Sequence, residues 1–416
     1  MSDDNNEKRP LLPRLRFPGF DGEVSTLPLA AVADLVSEKI NVDQLTSKQY
    51  VSTENLLPDF GGMSPAVKLP SVSYVSRFQP NDILISNIRP YLKKVWQADL
   101  CGGVSNDVLV FRAKERVVDA KYLAAVLRSD FFIDYVMRGA KGVKMPRGEI
   151  SMVKEFPVPR PHADEQQKIA GCLSSLDELI TVEGRKLEVL KAHKESLMPQ
   201  LFPREGEAFP RLRFSKFQHT GEWKKRTVSA LLARSINPVD VDADATYQEI
   251  GIRSHGKGVF HKEFVIGKSL GAKRVFWVKE NAFVVNIVFA WEQAVAVTSA
   301  AENGMIASHR FPMYVAKPGK ANVDFIKYFF LTKKGKELLG IASPGGAGRN
   351  KTLGQKEFEN LEFMLPATVA EQNEIANFLS SLNALITTQG QKVEALKIHR
   401  KGLAQQLFPV LNEVQE

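Results

Sequence analysis

Residues 165–176 read EQQKIAGCLSSL, and 206 positions later residues 371–382 read EQNEIANFLSSL. At that constant offset, 165–203 and 371–409 share 22 of 39 residues without a gap. The shared phrases are LSSL, then K-x-E-x-L-K-x-H (186–193 and 392–399), then QLFP (200–203 and 406–409). A lead-in repeats too: PRLRF at 13–17 returns at 210–214, followed by GEV from Gly22 and GEW from Gly221. A unit of about 200 residues is far longer than a solenoid repeat and fits one domain plus an appendage. The chain therefore reads as a duplication.

Within each appendage the apolar residues step by three and four, the seam of a coiled coil. In the first copy they are Leu173, Leu176, Ile180, Leu187, Leu190, Leu197 and Leu201; in the second, Leu379, Leu382, Ile386, Val393, Leu396, Leu403 and Leu407. Prolines precede each start (Pro159 and Pro161; Pro366) and close each copy (Pro203; Pro409), which marks helix boundaries. At about 1.5 Å per residue each helix is a rod of roughly 50 to 57 Å. A whole domain separates the two helices in the chain, so antiparallel pairing is expected. Both copies interrupt the seam at the same slots, with Glu183 or Gln389 and with Lys194 or Arg400. Polar residues in such a core lower stability but fix register, so the matched interruptions suggest one defined alignment; long side chains that simply snorkel outward are the alternative.

The segments between are built alike but spelled differently. The first has strand-like runs at 82–86 (DILIS) and 107–111 (DVLVF), then a helical pattern over 120–137; the second has FVVNIVF (283–289), FPMYVA (311–316) and a helical pattern over 323–339. Each closes on a glycine-containing basic loop, GAKGVKMPRG at 139–148 and GGAGRNKTLG at 345–354. Two domains on one scaffold with diverged surfaces point to two related recognition tasks with different answers.

Composition sets the class. The chain has 416 residues, 44% hydrophobic and 25% charged, as in ordinary globular proteins. No uncharged apolar run approaches the roughly 18 residues of a membrane span, and the polar, acidic start MSDDNNEKRP lacks the pattern of a signal peptide, so a cytoplasmic protein is expected. Cys101 and Cys172 stand apart with no CxxC spacing and read as small apolar residues in a reducing compartment. The net charge of +9 is unevenly spread: +4 over 24–160, +8 over 224–366, and zero for the two helical stretches taken together. The basicity lies in the globular segments, as it does where a protein meets a polyanion.

No catalytic set emerges. The NPPF or DPPY box of an adenine methyltransferase is missing, and Pro58-Asp59 is followed by no Glu until Glu115, too late for a PD...ExK nuclease. The nearest approach to a phosphate loop, GGAGRNKT at 345–352, has Asn350 where that loop needs glycine and follows a helix instead of a strand. It reads as a basic loop offering backbone amides with Arg349, Asn350 and Lys351 to phosphates, or as a plain linker. Its counterpart offers Lys141, Lys144 and Arg147. The seven histidines form no HxH or HExxH motif; His193 and His399 hold equivalent helix positions, which suits a structural or partner contact. His255, beside Lys257 in GIRSHGKGVF, sits in a loop-like setting from which it reaches a base edge or phosphate, or is merely solvated. In SNIRPYLKKVW (86–96) Asn87, Arg89, Tyr91, Lys93 and Lys94 supply groups for base edges and phosphates; in GAKRVFW (271–277) Lys273 and Arg274 flank aromatics.

The PRLRF...GEW lead-ins, ILISNIRPYLKK, GIRSHGKGVF, EQ-x-x-I-A-x-x-L-S-S-L and K-x-E-x-L-K-x-H...Q-L-F-P together resemble the specificity (S) subunits of type I restriction-modification systems, over residues 13–409. The resemblance implies an α+β chain with two target recognition domains, 13–164 and 210–370, each followed by a conserved spacer helix, 165–203 and 371–409. It further implies that the domains read the two halves of a bipartite double-stranded DNA target and that the antiparallel helices set the spacer and dock two methyltransferase (M) subunits, with restriction (R) subunits joining. The basic loops would lie where recognition domain meets coiled coil. S-adenosylmethionine, ATP and Mg would then belong to partner subunits, with no cofactor or membrane contact on this chain. A scaffold whose globular halves bind proteins is the second reading, and a self-contained nuclease or methyltransferase a third.

Overall fold

A computed structural model describes residues 12–345 and 351–409. The chain divides into two compact units, one comprising residues up to Arg185 together with those from Gly390 onward, the other Lys186–Gln389. Each unit therefore contains its own globular segment, the start of the helix that follows it, and the end of the other long helix. No helix among the described residues is long and apolar enough to cross a membrane.

In the first unit Ala33–Leu35, Val108–Ala113, Ile83–Ser86 and Val95–Gln97 form an antiparallel sheet in that order. Both of its faces are covered. Ile83, Ile85, Leu109 and Phe111 enter a core with the helices Ala120–Leu127 and Asp130–Arg138, while Leu84, Val108 and Val110 enter a second core against the neighbouring sheet. Alternation along a strand sends successive side chains to opposite faces, so a strand buried on both sides must be apolar throughout. That is why ILI and VLVF are unbroken. The second sheet runs Lys39–Asn41, Tyr74–Phe78, Gly102–Val104, Tyr50–Val51, the last pair parallel. Gly102 is obligatory there, since a Cβ would lie 2.0 Å from the Gln49 carbonyl oxygen.

The second unit repeats the first sheet strand for strand, as Leu232–Ser235, Met313–Ala316, Ala282–Val285 and Val295–Val297, with Phe283 and Val285 facing one core and Ala282 and Val284 the other. Its second sheet keeps three strands and changes the edge. Val275–Trp277, Ile306–Ser308 and Thr246–Ile252 correspond to Tyr74–Phe78, Gly102–Val104 and Tyr50–Val51, but the fourth strand is the long Val259–Ile266, hairpinned to Thr246–Ile252 on the opposite edge. The helical patterns read over 120–137 and 323–339 are each two helices. Ser129 and Thr332 accept the amides of Phe132 and Gly335 and so start a new helix in mid-pattern. The run at 283–289 also stops early, at Val285, because Asn286 Oδ1 accepts the Val288 amide and turns the chain.

The two long helices, Ala163–Leu197 and Val369–Leu407, begin on one ion pair each. Glu165, 1% exposed, takes both its bonds from Arg16 at 2.8 Å, and Arg16 also donates to the Gly22 carbonyl. Glu371, 0% exposed, takes 2.7 and 2.8 Å bonds from Arg213, which also donates to the Gly221 carbonyl at 3.2 Å. The repeated lead-in is thus the partner of the repeated EQ. The glutamines act too: Gln166 accepts the Asp119 amide and Gln372 the Asn322 amide, both at 2.9 Å, and Asp119 and Asn322 cap Ala120–Leu127 and Val323–Phe330. QLFP completes the set. The Leu15 amide donates to Gln406 O and the Leu212 amide to Gln200 O, each at 2.9 Å, while Leu407 and Phe408 enter the core of the first unit and Leu201 and Phe202 that of the second.

Removing one member of a buried ion pair strands the other, at a cost of about 3 to 5 kcal/mol, whereas apolar replacement of both is often near neutral. Glu371→Gln should therefore lower the stability of the second unit by about 3 kcal/mol, and Arg213→Met with Glu371→Leu should recover most of it. Denaturant titration of the three proteins measures both.

Candidate nucleic-acid interface

Three loops meet at the end of the first sheet in each unit. In the first unit the chain leaves Ile83–Ser86 into the turn that holds Asn87, Arg89, Tyr91, Lys93 and Lys94. The Asn87 amide donates to Asp107 O at 2.8 Å, the Gly148 amide to Asn87 O at 3.0 Å, and the Arg89 amide to Pro146 O at 2.7 Å. The basic loop 139–148 is thereby stitched to the turn. A third loop joins through the Asp59 and Phe60 amides, which donate to Leu92 O and Lys93 O at 3.0 and 2.9 Å.

The second unit makes four of these five bonds with other residues, while the Phe289 amide, at the place of Arg89, donates to Asn286 O instead. Ile287 N donates to Arg310 O at 3.0 Å, Leu353 N to Ile287 O at 2.8 Å, His255 N to Glu292 O at 2.7 Å, and Gly256 N to Gln293 O at 3.0 Å. Asn87 thus matches Ile287, Asp107 matches Arg310, and Asp59-Phe60 matches His255-Gly256. The backbone is unusual here: of eight non-glycine residues with positive φ among those described, six (Asp59, Phe60, Arg89, Lys93, His255, Gln293) stand at these junctions, and all but Arg89 are matched by a positive φ in the other copy. Left-handed backbone costs on the order of 1 to 3 kcal/mol per residue and gathers at functional sites.

The residues singled out from sequence fare differently. Asn87 is buried, Lys93 is held by Asp130 at 2.6 Å and Lys94 by Thr53 O at 2.6 Å, whereas Arg89 and Tyr91 are exposed. In the basic loop Lys144 is exposed, Lys141 pairs with Glu149 at 2.7 Å, and Arg147 pairs with Asp107 at 2.6 Å. In the second unit His255 and Lys257 are exposed, and Lys351 lies 5.8 Å from the centre of the Trp291 ring. Lys273 is engaged with Lys262 around Glu249; burial acts to raise that carboxyl, but the two ammonium groups hold it below the usual range. Arg274 is exposed, and its carbonyl accepts the His309 amide, next to Arg310. Arg349 and Asn350 lie outside the described residues. Asp107, His309 and Arg310 escaped the sequence reading, for only the backbone pairing reveals that they border these turns. No group of His, Cys, Asp and Glu among the described residues is arranged to hold a metal ion.

On the long helices Leu173, Leu379 and Val393 are buried, and Leu176, Ile180, Leu187, Leu190, Leu197, Leu382, Ile386, Leu396 and Leu403 are partly buried. In the first unit the helix ends run antiparallel, for Asp177 meets Arg400 at 3.1 Å and Glu183 meets Lys392. Arg400, 8% exposed, also donates to Arg128 O at 3.2 Å, and Arg128 itself pairs with Asp177 and donates to Phe60 O. Lys93, Asp130 and Lys401 form a second chain of charges from the turn to a helix. In the second unit Arg400 is matched by Lys194 and Asp177 by Asn383, which bonds Tyr328 Oη at 2.8 Å instead. Burial, then repulsion from Lys327, pushes the Lys194 ammonium below the ordinary lysine range. Gln389, the counterpart of Glu183, is buried.

The family described as the type I restriction modification DNA specificity domain matches residues 77–192 and 268–397, more than half of the chain. The chain belongs to this family, as a specificity subunit with DNA recognition domains. It is 21% identical over 395 residues to the MjaVIII type I restriction enzyme specificity subunit of Methanocaldococcus jannaschii, covering 85% of this chain and 83% of that protein. The fold is similar to the crystal structure of a type I restriction-modification S subunit from M. genitalium, with TM-score 0.64 and 15% identity, over 97% of this chain and 100% of that one. A chain from a structural study of complex assembly and conformational transition in a type I system matches with TM-score 0.53 and 15% identity, over 95% and 99%.

The two seam cations should respond oppositely to loss of charge. Arg400→Met breaks a buried pair and should destabilise the first unit by roughly 2 to 3 kcal/mol. Lys194→Met removes a desolvated charge and should be neutral or stabilising by about 1 kcal/mol. A lysine whose folded pKa is depressed binds fewer protons folded than unfolded, so its penalty is complete at neutral pH and fades as pH rises through the folded pKa towards the usual value of about 10.4. The advantage of Lys194→Met in thermal melts should shrink accordingly.

Proposed function

We propose that each unit reads one half of a bipartite double-stranded DNA sequence, and that the chain assembles two methyltransferase subunits, together with restriction subunits where the complex cleaves, on that site. The observation that carries this reading is the three-loop junction built twice on four matching backbone bonds with different side chains. Such a pair of sites suits two half-sites of unlike sequence on chemically uniform phosphates. Leu179, Val182 and Ile398 in the first unit and Leu385 in the second are exposed apolar residues off the helix seam, which supports the docking of partner subunits there. Methyl transfer from S-adenosylmethionine and ATP- and Mg-dependent steps fall to those partners. The place of action is the cytoplasm, and the domain limits follow the repeat: 13–164 and 210–370 for recognition, 165–203 and 371–409 for spacing.

Methylome sequencing of the host with and without the gene should reveal a two-part modified sequence. The purified complex with its methyltransferase partner should bind that sequence better than a scrambled one at moderate salt, where nonspecific contacts weaken. Equal binding would overturn the proposal, and a nearly flat dependence of affinity on salt would favour a protein-binding scaffold, which lacks phosphate contacts. One extra heptad in each long helix should lengthen the preferred spacer by about 10 Å, or roughly three base pairs.

A further inference from the structure

The matched junctions allow phosphate contacts to be told from base contacts. Every duplex presents the same phosphates, so a residue that clamps the backbone has no reason to differ between two sites built on one frame. Base readers differ wherever the half-sites differ. Two corners give an arginine to one copy alone: Asp107 in the first unit stands where the second has Arg310, and Arg89 stands where the second has Phe289, with a backbone turned differently there. Arg89 and Arg310 are exposed, and neither guanidinium joins a salt bridge among the described residues. Their backbones are fixed. Arg89 has φ 51° with Pro90 following and its amide on Pro146 O; Arg310 donates to Ser308 Oγ at 3.3 Å and accepts the Ile287 amide. The neighbouring cations of the first unit are already engaged: Lys93 by Asp130, Lys94 by Thr53 and Arg147 by Asp107.

A guanidinium on a rigid support in a DNA-reading loop is matched to the paired acceptors O6 and N7 of guanine in the major groove. Resting on the DNA-recognition reading above, we propose that Arg310 reads a guanine in the half-site of the second unit and Arg89 a guanine in that of the first. Because the two arginines rise from different corners of a shared frame, the guanines stand at different positions within their half-sites. Lys144, exposed in the basic loop, meets a phosphate.

The test uses the complex with its methyltransferase partner and a pool of duplexes randomised across the wild-type target. Arg310→Ala should abolish the preference for guanine at one position of one half-site, a loss of roughly 5- to 150-fold in discrimination, and leave the other half-site read as before. Arg89→Ala should do the same in the other half-site only, while Lys144→Ala should weaken all sequences alike and flatten the salt dependence. Uniform weakening by either arginine variant, or an unchanged sequence preference, overturns the inference while leaving bipartite recognition intact. Failure of the wild-type complex to select any two-part sequence would instead sink the functional reading beneath it.

Discussion

A carboxylate with essentially no solvent contact stands at the first turn of each long helix, and the fold is arranged around neutralising it. Glu165 and Glu371 lie near helix N-termini, where the backbone dipole favours negative charge but supplies only a fraction of what burial removes. Arg16 and Arg213 supply the rest. Reaching those carboxylates draws each lead-in across its unit, and the lead-in in turn binds the QLFP end of a helix through its backbone. Three phrases that repeat in the sequence are one contact in space. In the first unit that contact gathers residues 13–17, Glu165 and the end of the last long helix; in the second it gathers residues 200–214 and Glu371. Retention of the pair in both copies follows, since loss of either member leaves the other without its counter-charge.

Above this base, each globular segment is a sheet buried on both faces, which leaves the ends of its strands as the places where polar chemistry can vary. The two units exploit this with different adhesives. In the first, the turn is tied to the helices by Lys93, Asp130 and Lys401 and by Phe60, Arg128, Asp177 and Arg400. Burial acts to raise the Asp130 carboxyl, and Lys401 and Lys93 hold it below its usual range despite that. In the second, Gly256 takes φ 64° beside Leu331, the residue at the place of Arg128, and Gln293 secures the turn by donating to Phe330 O at 2.9 Å. One skeleton is tied to its helices by ion pairs in one copy and by a neutral amide in the other.

How much of this was legible in the sequence depends on whether the information is local. The long helices, their seam and their polar interruptions could be read because heptad spacing repeats within a few turns, and the duplication could be read because EQ, LSSL and QLFP survive unchanged. The partnership of PRLRF with EQ could not, because Arg213 and Glu371 are 158 residues apart and nothing in either phrase names the other. The helical patterns over 120–137 and 323–339 concealed breaks because Ser129 and Thr332 look like ordinary polar positions until their side chains cap the next helix. Of the candidate DNA contacts, SNIRPYLKK and GAKGVKMPRG were visible as basic segments, but the engagement of Lys93, Lys94 and Arg147 was not. A lysine facing an aspartate across a loop has the same letter as one facing solvent.

The divergence at the junctions has a physical cause in how they are held. The bonds that recur in both copies are between backbone groups, so the side chains at Asp59 and Arg89, or at His255, Phe289 and Arg310, carry none of them, while each copy adds side-chain ties of its own, Arg147 on Asp107 in the first and Ser254 on Glu292 in the second. A backbone that accepts either Asp or Arg at one point is indifferent to the charge it presents. The two buried carboxylates and the arginines that neutralise them stand instead at the helix ends. A junction whose shared bonds lie in its backbone tolerates different side chains in its two copies, while the phrases that neutralise a buried carboxylate are retained in both.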